Sequence, residues 1–95
     1  MSHFVYILYS ATLDRYYVGE SEDPDRRLRE HLDHRYKGSA TAKATDWEMR
    51  MAMSCADRSH ARRLEQWIKS QKSRSVVERL LFEEGYRNYQ VERFR

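Results

Sequence analysis

What the chain lacks narrows it before any motif does. A single cysteine, Cys55, in 95 residues excludes an intramolecular disulfide and any cysteine-based zinc site, and leads us to expect a reduced, cytoplasmic home. No apolar run approaches the ~18 residues of a membrane span, and no charged, apolar and cleavage-site succession opens the chain, so neither a membrane segment nor a secretory signal is expected. There is no internal repeat and no linker. Charge of one sign is also scarce: 18 Lys and Arg against 15 Asp and Glu leave a formal +3, only a mild pointer to nucleic acid. Disorder is excluded by what is plentiful, namely seven tyrosines, three phenylalanines and two tryptophans in a chain that is 40% hydrophobic.

Periodicity then supplies the elements. Phe4 to Tyr9 is a continuous apolar and aromatic run, the pattern of a strand buried on both faces. Ser10 to Asp14 turns the chain, and Arg15 to Glu20 returns as the second arm of a hairpin that lacks an Asn-Gly or Asp-Gly signal. Asp23 before Pro24 is a cap followed by a proline at the first helical position, so a helix runs from Pro24 to about Asp33 with Leu28 and Leu32 inward and Asp25 and Arg29 spaced for an ion pair. Residues 34 to 45 are polar and aperiodic, a loop. Trp47, Met49, Met51 and Met53 alternate with Glu48, Arg50 and Ala52, predicting a third strand with one buried face. Asp57 caps a helix over Arg58–Ser70 with Ala61, Leu64 and Ile68 inward, and Ser73 or Ser75 starts another that stops near Gly85. The expected division is a domain over 1–84 and a C-terminal tail over 85–95, read as a short strand or extended arm.

The chemistry-bearing stretch is 17–31: a tyrosine strand, Gly19 as a turn or a point of close approach, then a helix with Arg27 and His31 on one face. It suits an anion. Each part has a plainer reading. Tyr6 and Tyr17 alone are cross-strand core aromatics; Arg27 and His31 alone are a solvated helix face; Glu65 alone pairs with Arg58, Arg62 or Lys69.

Taken in order, the residues resemble a family. Phe4-Val5-Tyr6-Ile7-Leu8, then Tyr17-Val18-Gly19, then Arg27 with His31, then Glu65, resemble the GIY-YIG nuclease domain, and its small stand-alone UvrC-like branch in particular. Tyr17 follows Tyr6 by eleven positions, and Arg27 follows Gly19 by eight. The resemblance implies an α/β (α+β) fold, a small three-stranded antiparallel sheet flanked by helices. It implies cleavage of DNA phosphodiester bonds to 5′-phosphate and 3′-hydroxyl ends with one Mg²⁺ or Mn²⁺, and a role such as DNA repair. Position by position it makes Tyr6 and Tyr17 the motif tyrosines, Gly19 the motif glycine, Arg27 the catalytic arginine, His31 a position held by tyrosine or histidine, and Glu65 the metal-binding carboxylate.

Those residue types fit the reaction independently. A guanidinium is always charged and bidentate toward phosphate, which suits Arg27 to the non-bridging oxygens. One carboxylate is enough for Mg²⁺, which keeps much of its water shell. Tyr6, Tyr17 and His31 are expected to share water activation, with Tyr6 the preferred direct base. The sequence departs from the pattern in three places. Phe4 replaces the first glycine, Glu20 stands where such nucleases often carry lysine and would repel phosphate, and no asparagine motif closes the pattern, Asn88 being its only candidate. These departures keep a second reading in view, a catalytically weak or inactive nucleic-acid-binding module of the same fold. Arg35, Lys37, Lys43, Arg62, Arg63, Lys69, Lys72 and Arg74 are candidate contacts to the DNA backbone. No base-reading motif is present, so binding is expected to be salt-dependent and to favour branched or flapped DNA, with a homodimer or protein partner supplying further surface.

Overall fold

The computed structural model describes residues 2–33 and 40–95. Arg35 and Lys37 of the expected loop lie outside them. Three strands, β1 (His3–Ser10), β2 (Arg15–Ser21) and β3 (Glu48–Cys55), form one antiparallel sheet in the order β2-β1-β3. Four helices accompany it: α1 (Pro24–Leu32), α2 (Arg58–Gln71), α3 (Arg74–Phe82) and α4 (Glu84–Arg93), with a 3-10 turn at Ala40–Lys43. The expected α+β fold is present. No helix among the described residues is long and apolar enough to cross a membrane.

Because successive side chains of a strand point to opposite faces, the central strand divides the interior in two. Val5 and Ile7 meet Val18, Met53 and Cys55 with Ala61, Leu64 and Ile68 of α2 and Val77 and Leu80 of α3. On the other face Tyr6 and Leu8 meet Ala44 and Trp47, with Tyr17, Leu28 and Leu32 packed against them. All four β1 side chains are fully buried.

The helix starts follow their caps. Asp23 accepts from the Arg26 amide at 3.1 Å, Asp57 from the His60 amide at 2.8 Å, and Ser73, rather than Ser75, from the Val76 amide at 3.3 Å. The hairpin is closed by Asp46 from a distant loop: Ser10 Oγ donates to it at 2.6 Å, and the Thr12 amide and hydroxyl at 2.8 and 2.9 Å. These donors hold the Asp46 carboxyl down at about 2.

Four expectations are corrected. The methionines of β3 do not share a face: Ile7 pairs with Met51 but Leu8 with Met49, a bulge that places Arg50 outside the alternation and turns Met49 to the α1 side. The tail is neither strand nor arm but α4, anchored where the buried His60 donates from Nε2 to the Val91 carbonyl at 2.6 Å and accepts at Nδ1 from the Ala56 amide at 2.9 Å. Gly85 sits inside that helix, so α3 stops three residues earlier than the glycine suggests. The expected Asp25–Arg29 pair is replaced by Arg27 Nε at 3.8 Å from Glu30 Oε1.

Candidate active site

Gly19 is not in a turn. It lies within β2 opposite Tyr6, and the Tyr6 hydroxyl and ring edge occupy the place where a Cβ would stand. The close approach expected of this glycine is made by a phenol of the same chain. That vacancy lets the Tyr6 hydroxyl cross the edge strand from a fully buried ring.

His31, one turn after Arg27 on α1, is only 2% exposed, deeper than Leu28 or Leu32 beside it. Its Nε2 lies 3.1 Å from the Tyr6 hydroxyl. Burial, and then the positive Arg27, push the His31 pKa below its ordinary value. Burial, and then the neighbouring Tyr17, raise the Tyr6 phenol well above its own, against a smaller pull from Arg27. A protonated phenol and a neutral imidazole fix the direction of the bond: Tyr6 donates and His31 Nε2 accepts. Tyr6 is therefore not a resting phenolate, and a proton leaving it has an acceptor in place.

Tyr17 completes an aromatic wall. Its ring is 5.0 Å from that of His31, edge on, and 6.4 Å from those of Tyr6 and Trp47. From the opposite face of the sheet, Glu65 of α2 brings a carboxylate that is 18% exposed and 3.5 Å from Lys69 Nζ. Lys69 in turn stands 5.6 Å above the Tyr17 ring. The charges of both Glu65 and Arg27 act on the Tyr6 hydroxyl. Tyr6, Tyr17, Arg27, His31 and Glu65 thus gather from β1, β2, α1 and α2 at the β2 edge of the sheet. Among the described residues no three metal-ligating side chains cluster.

Glu20 is turned to other partners. It bonds to His3, and Arg58 Nε lies 3.9 Å from its second oxygen. Its negative charge is met locally, beside a cleft of about 410 Å³ that Arg26, Arg27 and Arg58 also line. Arg26 and Arg58 were not among the expected contacts, although the Asp23 and Asp57 caps place both in first helical turns next to the site. Trp47 is buried in the core, as its alternation with the methionines suggests, with its ring edge on to Tyr17.

The other expected cations separate. Lys69 and Lys72 line a cleft beside Tyr17, and Lys43 lines a second one with Trp47 and Tyr17. Arg62 is exposed on α2. Arg63 donates to the Phe94 carbonyl at 3.0 Å, tying the chain end to α2. Asn88 is on α4 against Met51–Ser54 of β3, the edge opposite β2, and so does not close the site.

A tyrosine-histidine pair, a guanidinium and a carboxylate around a strand glycine have the chemistry to receive an anion and to pass a proton. Compared with protein families, the chain matches the GIY-YIG catalytic domain over residues 2–79. It belongs to that family, and its function is accordingly of the nuclease type. Comparison with curated proteins and with solved structures gave no significant match.

Proposed function

We propose that the chain is a metal-dependent DNA endonuclease of the UvrC-like kind, structure-selective or weakly specific, working on branched DNA in the cytoplasm, as in repair. The observation that carries this is the meeting of the Tyr6–His31 hydrogen bond with Arg27 and Glu65 around Gly19. A lone, buried Cys55 suits that compartment. A domain this small invites a second copy or a partner protein to add surface.

In this reading Arg27 binds the non-bridging oxygens of the scissile phosphate and offsets the charge that grows on them. A water poised at the Tyr6 oxygen gives up a proton as the Tyr6 proton passes to His31 Nε2. The resulting hydroxide attacks phosphorus, the bond to the 3′ oxygen breaks, and the imidazolium or solvent returns a proton to the leaving oxygen. Tyr6 is then the immediate acceptor, as expected, but only through His31. Tyr17 packs the pair and excludes bulk water. A lone, partly exposed carboxylate fits Mg²⁺ or Mn²⁺, so Glu65 would hold one such ion, which when bound supplies Lewis-acid stabilisation of phosphate and leaving oxygens.

The second reading, a binding module with poor chemistry, is favoured by the Lys69 ammonium beside Glu65, which competes with a metal ion for the carboxylate. Supercoiled plasmid and branched DNA incubated with Mg²⁺ or Mn²⁺, beside a Glu65→Ala protein, separate the two. Nicking by the wild type that the variant loses supports the enzyme. Retention of DNA without nicking supports the module.

A further inference from the structure

Beside the site, a cleft of about 560 Å³ runs along the β2 edge toward the start of α3. Arg15, Lys69, Lys72 and Arg74 line it with one carboxylate, Asp14, while Glu65 pairs with Lys69 at 3.5 Å and Glu78 with Arg74 at 3.4 Å. The Asp14 carboxylate is already engaged, by Arg74 Nη2 at 2.8 Å and by the Tyr9 hydroxyl at 2.6 Å. Among the described residues Arg15 and Lys72 meet no carboxylate at all. The floor is apolar, from Val18, Ile68 and Val77, beneath an exposed cationic rim.

Two backbone positions set this cleft apart. Asp14 (φ 50°) and Lys72 (φ 47°) are the only non-glycine residues with positive φ among those described, and both line it. Lys72 is the left-handed cap of α2, a place where glycine is the usual and least strained choice. Strain of this kind gathers at functional sites. Lys72 thus brings a cationic side chain to the groove from a backbone conformation that favours glycine.

We infer that this cleft receives a single unpaired DNA strand, leading it to or from the scissile phosphate. The inference rests on the nuclease reading for its direction. Tyr17 belongs both to the cleft and to the catalytic cluster, and Lys69 reaches from the cleft to Glu65, so a strand held at the cluster has a path into it. The size suits one strand: the cavity is within the ~300–1,000 Å³ of small-ligand sites, room for about one or two nucleotides. Phosphates track the cationic rim while sugars and bases rest on the apolar floor, the division that strand-binding grooves use. The substrate class that follows is DNA with an unpaired arm.

The test is fluorescence anisotropy in metal-free buffer, with a labelled blunt duplex and the same duplex carrying an unpaired oligo(dT) arm of about a dozen nucleotides. The wild type should bind the armed duplex about tenfold more tightly than the blunt one. Lys72→Gly relieves the strained cap, so it should melt at or above the wild type while losing about fivefold in affinity for the arm alone. Arg15→Gln, outside the helix cap, should lose affinity in the same direction. Either substitution should lower the slope of log affinity against log salt by about 0.7 on the armed duplex. Equal binding of the two DNAs, or arm affinity unchanged in both variants, overturns the inference. Plasmid nicking in Mg²⁺ keeps the two claims apart. Nicking without arm preference removes the groove and leaves the nuclease, and Lys72-dependent arm binding without nicking does the reverse.

Discussion

Two histidines are equally buried in this molecule, and they sit in unlike company. His60, 1% exposed under α2, has both ring nitrogens spent on backbone, the Ala56 amide and the Val91 carbonyl. His31, 2% exposed under α1, turns Nε2 to a phenol whose proton it can take, next to an arginine and within the field of a carboxylate. Burial alone does not separate a structural histidine from a candidate for proton transfer. The partner does: a peptide group is too weak an acid and base to share a proton with an imidazole, whereas a phenol hydrogen-bonded to it can pass one on.

The comparison can be broken most sharply at His31. His31→Ala should lower single-turnover cleavage about 10³-fold, within the range of a lost proton-transfer group, while the protein still folds; plasmid nicking under excess enzyme measures it. His60→Ala should do the opposite. It strands two backbone groups and leaves a cavity, which should cost about 3 kcal/mol in urea unfolding, with cleavage per folded molecule unchanged. If His60→Ala lost cleavage while keeping its stability, the division of roles would be wrong.

Gly19→Ala comes next, since its new methyl group would meet the Tyr6 phenol. We expect roughly 2 kcal/mol lost on thermal unfolding and a fall in cleavage with it, because the hydroxyl must leave His31 to make room. The smallest effects are in pH. His31 is held below its ordinary 6.5, so the folded state favours neutral imidazole, and its contribution is whole above pH 6.5 and shrinks as pH falls past that value. The acid limb of the cleavage profile should therefore lie below 6.5. Asp46, held at about 2 against an ordinary 3.8, adds stability that is present above pH ~4 and lost between there and pH ~2; Asp46→Asn should erase that lower step and leave the His31 one.

Much of this was legible in residues because local chemistry decided it. The FVYILY run, the Asp23-Pro24 start and the Asp57 cap each form what their side chains dictate, and the ordered tyrosines, Arg27, His31 and Glu65 meet at one edge. Features that depend on a distant partner were not legible. Nothing near Arg50 announces the bulge that turns Met49 away from Met51. Nothing near Gly19 says that a phenol from another strand needs its missing Cβ. α4 hides because its core position is Gln90, a polar residue that blurs the helical period, and because Gly85 reads as a stop. Glu20 looked like a repulsive flaw only while His3 and Arg58 were out of sight.

One oxygen atom joins these observations. The Tyr6 hydroxyl fills the space above Gly19, donates to His31 and feels Arg27 and Glu65. Tyr6→Phe removes that atom and keeps the ring in the core. Single-turnover cleavage of plasmid DNA in Mg²⁺ should fall at least about 10²-fold, with the melting temperature within a few degrees of wild type. Cleavage within about twofold of the wild-type rate would contradict the account, because the site would then be working without the atom on which it converges.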